Sequence, residues 1–136
     1  MDFLRSIGIA ASGLRAQSGR MRIIAENVAN ADSTGEKPGA DPYRRKIPTF
    51  SQHVDRELGA SVVSLGRVAR DPSAFRTRHD PGNPAADASG QVKLPNVNTL
   101  VETMDMREAQ RSYEANLNIV TATRRMISRT LEILRA

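Results

Sequence analysis

Apolar positions recur in steps of four and three at both ends of this chain, and not between them. Near the start the stripe runs Leu4, Ile7, Ala11, Leu14, Ser18, Met21, Ala25, Val28. Near the end it runs Tyr113, Leu117, Val120, Arg124, Ile127, Leu131, Leu134. That alternation keeps one helix face turned toward a partner and is the spacing of a coiled-coil seam. It predicts an N-terminal helix over residues 1–31 and a C-terminal helix over 97–136, paired as one helical domain. The fold class expected is mainly α, a coiled-coil-like helix pair with a small β-rich, loop-rich middle over residues 32–96.

Local signals sharpen those boundaries. Asp2 places an acid at the positive end of the first helix. Gly8, Gly13 and Gly19 lie inside it, each costing about 1 kcal/mol against Ala, which is tolerable where neighbours must approach closely. Asn27, Asn30, Asp32, Ser33 and Gly35 end the helix by turn chemistry. Pro38, Gly39 and Pro42 mark an exposed loop, and Tyr43–Phe50 reads as extended, kept out of a central strand by Pro48. Ser51–Leu58 reads as a short helix. Strands are expected at Val62–Val68, Phe75–His79 and Gly90–Leu94, separated by turns at Asp71-Pro72-Ser73 and Asp80-Pro81-Gly82-Asn83-Pro84. The last helix opens on Thr99-Leu100-Val101-Glu102, which fits a capping box, with Asn96 and Asn98 as alternative caps.

Length bears on function. A helix from Thr99 to Ala136 would span about 57 Å, against roughly 35–40 Å for a globule of this size. A second apolar stripe, Ile119, Ala122, Met126 and Ile133, lies on another face. One stripe meets the chain's own first helix; the other needs a neighbouring subunit. These features point to a self-associating or co-assembling structural subunit.

Composition narrows the alternatives. The chain has 136 residues, 39% apolar and 4% aromatic, with neither Cys nor Trp. Its core is thin and aliphatic, and disulfides and thiolate chemistry are absent. Net charge is +5, and of the 20 basic residues only Lys37, Lys46 and Lys93 are Lys. A basic coiled coil that binds nucleic acid is therefore the alternative function. Against it, the Arg residues are scattered and the few aromatics do not interleave with them as a stacking platform.

No catalytic, cofactor or metal residues are assigned. His53 and His79 lack a partner at metal-ligand spacing, and Asp71, Asp80 and Asp87 sit in turns where Asp is a turn former. No Gly-x-Ser-x-Gly elbow or Gly-rich phosphate loop occurs, so a small cell-wall lytic enzyme is the weakest reading. Charge-free runs reach only nine residues, as in Ser6–Leu14, too few to cross a membrane. The opening Met1-Asp2-Phe3-Leu4-Arg5 lacks the basic-then-apolar order of a cleavable signal.

Particular motifs add a resemblance. The segment from Ile24 through Asn27-Val28-Ala29-Asn30 to Ser33 and Thr34 resembles the N-terminal signature of the bacterial flagellar rod and hook protein family. The same family is resembled by Pro42-Tyr43-Arg44-Arg45-Lys46, by Asp80-Pro81-Gly82-Asn83-Pro84-Ala85-Ala86-Asp87, by Gly90, Val92 and Pro95-Asn96-Val97-Asn98, and by Arg111-Ser112-Tyr113-Glu114-Ala115-Asn116. The resemblance covers essentially the whole chain.

The resemblance implies a non-enzymatic subunit of the proximal rod of the flagellar basal body, with no cofactor. It implies export through the flagellar type III apparatus without a cleaved signal, and assembly in the periplasm. The implied partners are copies of itself, the rod proteins FlgB, FlgF, FlgG and FliE, the export apparatus and the surrounding MS and LP rings, with neither nucleic acid nor membrane insertion. Carried onto this chain, Asn27, Ala29 and Asn30 would form the turn below the first helix. Arg111, Tyr113, Ala115 and Asn116 would lie at subunit contacts of the second helix. With the stripe residues read from periodicity, the interface expected is Leu4, Ile7, Leu14, Met21, Asn27, Val28, Asn30, Arg111, Tyr113, Asn116, Leu117, Val120, Ile127, Leu131 and Leu134. His79 departs from the family pattern, which tends to have Tyr there.

Overall fold

Asp2 caps the first helix, its carboxylate accepting the Arg5 N–H at 3.1 Å. The computed structural model describes residues 2–135. Helix α1 runs Phe3–Ala29, and helix α2 runs Thr99–Arg135. Between them lie strands β1 (Lys46–Ile47), β2 (Phe50–Asp55), β3 (Ala60–Leu65), β4 (Ala69–Arg70), β5 (Arg76–His79) and β6 (Gln91–Leu94). These make three separate antiparallel pairs, β1 with β4, β2 with β3 and β5 with β6. The expected helix at Ser51–Leu58 is corrected: Phe50–Asp55 is a strand, paired from Phe50 opposite Leu65 to Asp55 opposite Ala60. A hairpin turn follows it. Asp55 Oδ1 accepts the N–H groups of Glu57 and Leu58, and Gly59 turns the chain at φ 63°.

The chain divides into two compact units, and both helices contribute to each. The first is built from the described parts of Met1–Met21, Thr49–Arg67 and Arg107–Ala136. Here Gly13 lies against Asn116 and Arg20 pairs with Glu108, so the two helices pack antiparallel. A Cβ on Gly13 would lie 2.8 Å from the Asn116 amide, so the approach depends on the missing side chain. Another face of α1 carries the β2–β3 hairpin: Leu58 covers Gly8 and Leu65 covers Gly19. All three helical glycines are thus places of close approach, which offsets their poor helix propensity.

The seam that α2 turns inward differs from the expected stripe. It runs Ala109, Tyr113, Asn116, Val120, Thr123, Ile127, again in steps of four and three, with Ala109 and Thr123 buried and the others half-buried. Leu117 at 46% and Leu131 at 51% exposure lie off it or beyond it. Small and polar residues win these positions because α1 presents small ones, Ala10, Gly13 and Ala16, all buried.

The second unit comprises Arg22–Pro48 and Val68–Met106. Its apolar core is Ile23, Ile24, Ala31, Ala85, Val92, Leu94 and Val97. Val92 and Leu94 alternate inward along β6 while Gln91 and Lys93 do not, the period of a half-buried strand. Each large aliphatic side chain buried here contributes about 1.5–3 kcal/mol. The start of α2 corrects the capping box. Asn98 is the cap, its Oδ1 accepting the N–H groups of Leu100 and Val101, and Glu102 turns into the core instead.

Candidate assembly surface

The second unit is closed by a polar lock rather than by apolar packing alone. Asn27 is fully buried, and its amide makes four hydrogen bonds. Nδ2 donates to Lys46 O at 2.8 Å and to Glu102 Oε2 at 3.1 Å. Oδ1 accepts from Tyr43 Oη at 2.8 Å and from Lys46 N at 2.9 Å. Those four bonds use both donors and both lone pairs of the amide. Glu102 is equally buried and lies beside Arg45, whose Nε donates to Glu102 Oε1.

Arg45 also reaches Asp71 at 3.4 Å and Asp105 at 3.7 Å. Burial pulls against the Arg45 guanidinium's charge, but bonding to Glu102 and Asp71 more than compensates and holds its pKa above the usual arginine value. Tyr43 titrates near 12, raised first by burial and then by the Glu26 and Glu102 carboxylates. Asp71 sits below the usual carboxylate range, held there by hydrogen bonds from Ser73 and then by Arg45.

Neighbouring bonds tie the lock to its surroundings. Asn96 Oδ1 accepts the Arg45 N–H at 2.8 Å, and Asn96 Nδ2 donates to Asp71 O and Ser73 O. Arg44 donates to Asp71 O and Ser73 O and lies 4.2 Å above the Phe75 ring. Arg76 donates to Pro95 O and Ala31 O, and Lys46 pairs with Glu26. The end of α1, the strand at 46–47, the turn at 71–73 and the start of α2 are thereby set in one register.

The sequence-predicted residues fall into two groups. Asn27 is internal to the lock. Asn30 is half-buried and closes the α1 turn, its Nδ2 donating to Glu26 O and its carbonyl accepting from Ser33. Ile7, Leu14, Met21, Tyr113, Asn116, Val120 and Ile127 are half-buried within the subunit. Leu4 at 76% exposure, Val28, Leu117, Leu131 and Leu134 at 78% are open, as are Arg111 and the second-stripe residues Ile119, Met126 and Ile133.

Of these, Leu4, Met126, Leu131, Ile133 and Leu134 lie toward one end of the first unit. Stepping residue for residue from Gly13 and Asn116, the first residue of α1 stands opposite position 126. Beyond it the last eight or nine residues of α2, about 12 Å, have no α1 beside them. Leu131, Ile133 and Leu134 lie in that stretch. Glu102 and Arg45 were not foreseen as lock residues. The one signal for Glu102 was its place three residues after Thr99, and the cap reading absorbed it.

Comparison with known proteins decides the family. A curated flagellar basal-body rod protein FlgC of Agrobacterium fabrum is 52% identical over 128 residues, covering 94% of this chain and 92% of that one. The chain belongs to the FlgC family of flagellar basal-body rod proteins.

FlgC relatives from more distant bacteria agree along almost the full length. Those of Aquifex aeolicus and Salmonella typhimurium are 39% and 37% identical, covering 97% and 98% of both chains. Two family models match as well: "Flagella basal body rod protein" over residues 7–36 and "Flagellar basal body rod FlgEFG protein C-terminal" over residues 88–133. In this FlgC-family chain the first match ends just past the α1 turn, and the second takes in β6 and most of α2. The lock residues Asn27 and Glu102 fall one in each. Among the described residues no helix is long and apolar enough to cross a membrane.

Proposed function

We propose that this chain is a structural subunit of the bacterial flagellar basal-body rod, sited in its proximal part, which transmits torque by helical packing against neighbouring axial subunits. The observation that carries this is similarity to FlgC proteins over nearly the whole chain, with 52% identity to that of Agrobacterium fabrum. The matched family is structural, so the chain is read as non-catalytic, and neither the family nor the surface favours the nucleic-acid alternative. Its partners are rod proteins. In finer terms these are copies of itself, FlgB, FlgF, FlgG and FliE, with the type III export apparatus as the route out and the MS and LP rings around it.

The open apolar residues support this reading. Leu4 of α1 and, on two faces of α2, Leu117 and Leu131 and Ile119, Met126 and Ile133 are all more than 40% exposed, as is Leu134, more exposed apolar surface than is typical of a monomer's exterior. The residues 1–31 and 97–136 are assigned to an inner helical layer and 32–96 to an outer one. The site of assembly is the periplasm.

The test is genetic and direct. A strain lacking this chain should have no completed rods and no motility, and the wild-type chain should restore both. Normal rods in the deletion strain would remove the assignment. Co-sedimentation with each candidate rod protein in turn identifies the neighbours.

A further inference from the structure

We propose that, in the assembled rod, neighbouring copies of this chain pack their α2 helices side by side and parallel. The flank of one helix that carries Leu117 and Leu131 meets the opposite flank of the next, which carries Ile119, Met126 and Ile133. This rests on the rod-subunit reading and names one contact within it. At about 100° per residue, α2 from Arg107 onward shows four sides. One is the seam against α1, centred on Ala109, Asn116 and Thr123. The side opposite the seam is polar and exposed, with Arg107, Arg111, Asn118, Arg125 and Arg129 along it. Between these lie two flanks that face nearly opposite ways. Leu117 and Leu131 stand on the first, and Ile119, Met126 and Ile133 on the second, all more than 40% exposed.

Two open apolar flanks that face opposite ways suit a repeating contact. A two-fold contact uses one patch twice, whereas a ring or helical assembly joins two different patches. Moving α2 sideways without rotation brings the first flank of one copy onto the second flank of the next. Their shapes complement one another. The first flank offers large side chains at Leu117 and Leu131, and the second has exposed Ala115 and Ala122 beside its larger residues, small positions that leave holes for knobs. Arg124, between the two leucines, can lay its stem along the flank while its head stays in water. Charge complements as well. Glu114 and Glu132 stand where the first flank borders the polar side, and Arg111 and Arg129 where the second does. Among the described residues none of these four has an ion-pair partner within the subunit. The Arg-x-x-Glu spacing occurs twice, at 111–114 and 129–132, about 27 Å apart, so both ends of the flank carry it. Side-by-side packing sets the carboxylates of one copy beside the guanidiniums of the next, as at the rims of a coiled-coil seam.

Disulfide trapping in rods tests the pairing, and the chain has no Cys of its own to confuse it. Two full-length chains with different tags are co-expressed in the deletion strain. One carries Leu117→Cys or Leu131→Cys; the other carries Ala115→Cys, Ala122→Cys or Met126→Cys. Basal bodies from motile cells are oxidised mildly and run without reductant. Mixed pairs at twice the chain's mass, containing both tags, are expected in at least one combination. Either chain expressed alone should give none, because a lone Cys meets no copy of itself across a contact between different flanks. Adding Glu114→Arg and Glu132→Arg to the first chain should cut the mixed product severalfold. Adding Arg111→Glu and Arg129→Glu to the second chain should restore it, and failure to restore it would overturn the charge pairing. Self-linked single chains would mean a two-fold contact, and rods holding both chains without any mixed pair would give the flanks to other rod proteins; either overturns the proposal. Normal rods in the deletion strain would instead remove the rod-subunit reading itself.

Discussion

Asn27 and Glu102, 75 residues apart in sequence, meet in a 3.1 Å hydrogen bond where neither has appreciable exposed surface. One ends α1 and the other begins α2, so the bond fixes where the two helices of the second unit stand. Replacing Asn27 by Ala leaves Tyr43 Oη, Lys46 N, Lys46 O and one Glu102 oxygen without that partner. Each buried polar group left unpaired costs about 1–3 kcal/mol, with partial relief where water reaches in. Asn27→Ala is therefore expected to lower stability by about 3–4 kcal/mol, measured by urea denaturation. A loss under about 1 kcal/mol would show the lock to be incidental.

Gly13 and Asn116 are coupled through space. A Cβ at position 13 would stand 2.8 Å from both amide atoms of Asn116, so Gly13→Ala gains helix propensity of about 1 kcal/mol and loses packing. In an Asn116→Ala background the obstruction is gone, and only the gain remains. A double-mutant cycle should give a coupling energy of about 1 kcal/mol or more. Simple additivity of the two substitutions would mean that Asn116 swings aside freely.

Much of this was legible in the chain, and the failures share a cause. The two helices, the Asp2 start, the turn after Ala29 and the strands leading to His79 and Leu94 followed from local periodicity and turn chemistry. The Ser51–Leu58 helix did not survive because strand pairing with Ala60–Leu65 is a tertiary fact that Ser51, Gln52 and His53 do not announce. The α2 seam was misplaced for a related reason. Counting large apolar residues selects Leu117 and Leu131, whereas α1 offers Gly13 and Ala16, and such a surface accepts Ala109, Asn116 and Thr123. Glu102 looked like a cap because capping is local, while its partners Asn27 and Arg45 lie 75 and 57 residues away.

The titrating groups give the stability profile opposite limbs. Tyr43 is raised from its ordinary value of 10.0 to about 12. Its contribution is complete below pH 10 and lost as the pH rises from there through 12. Asp71 and Asp87 are lowered, Asp87 first by the Ser89 hydroxyl and then by backbone N–H groups of Gln91 and Ser89. Their contribution is present above the ordinary carboxylate pKa and lost as pH falls below it through the folded values. Thermal midpoints should therefore drop above pH 10 and below about pH 4. Tyr43→Phe should flatten the alkaline limb while leaving the acid limb in place; an alkaline limb unchanged in that variant would assign it to other groups.

Charged substitution on the open stripe separates folding from assembly. Leu117 is 46% exposed and Leu131 51% in the isolated subunit, so Leu117→Glu and Leu131→Glu change little that the subunit itself buries. Exposed replacements of this kind are usually within about 0.5 kcal/mol, and urea midpoints should stay near wild type. If these residues are covered in the rod, each variant places an unpaired carboxylate in a packed, water-poor seam, a cost of several kcal/mol per contact. The rod repeats that contact in every copy. Both variants should be stable, be exported and fail to complete rods, giving non-motile cells in the deletion background. Alanine at the same positions, which removes area without adding charge, should leave partial motility. Normal motility from both glutamate variants would place the subunit contacts elsewhere on α2, with the face of Ile119, Ala122, Met126 and Ile133 next in line for the same substitutions.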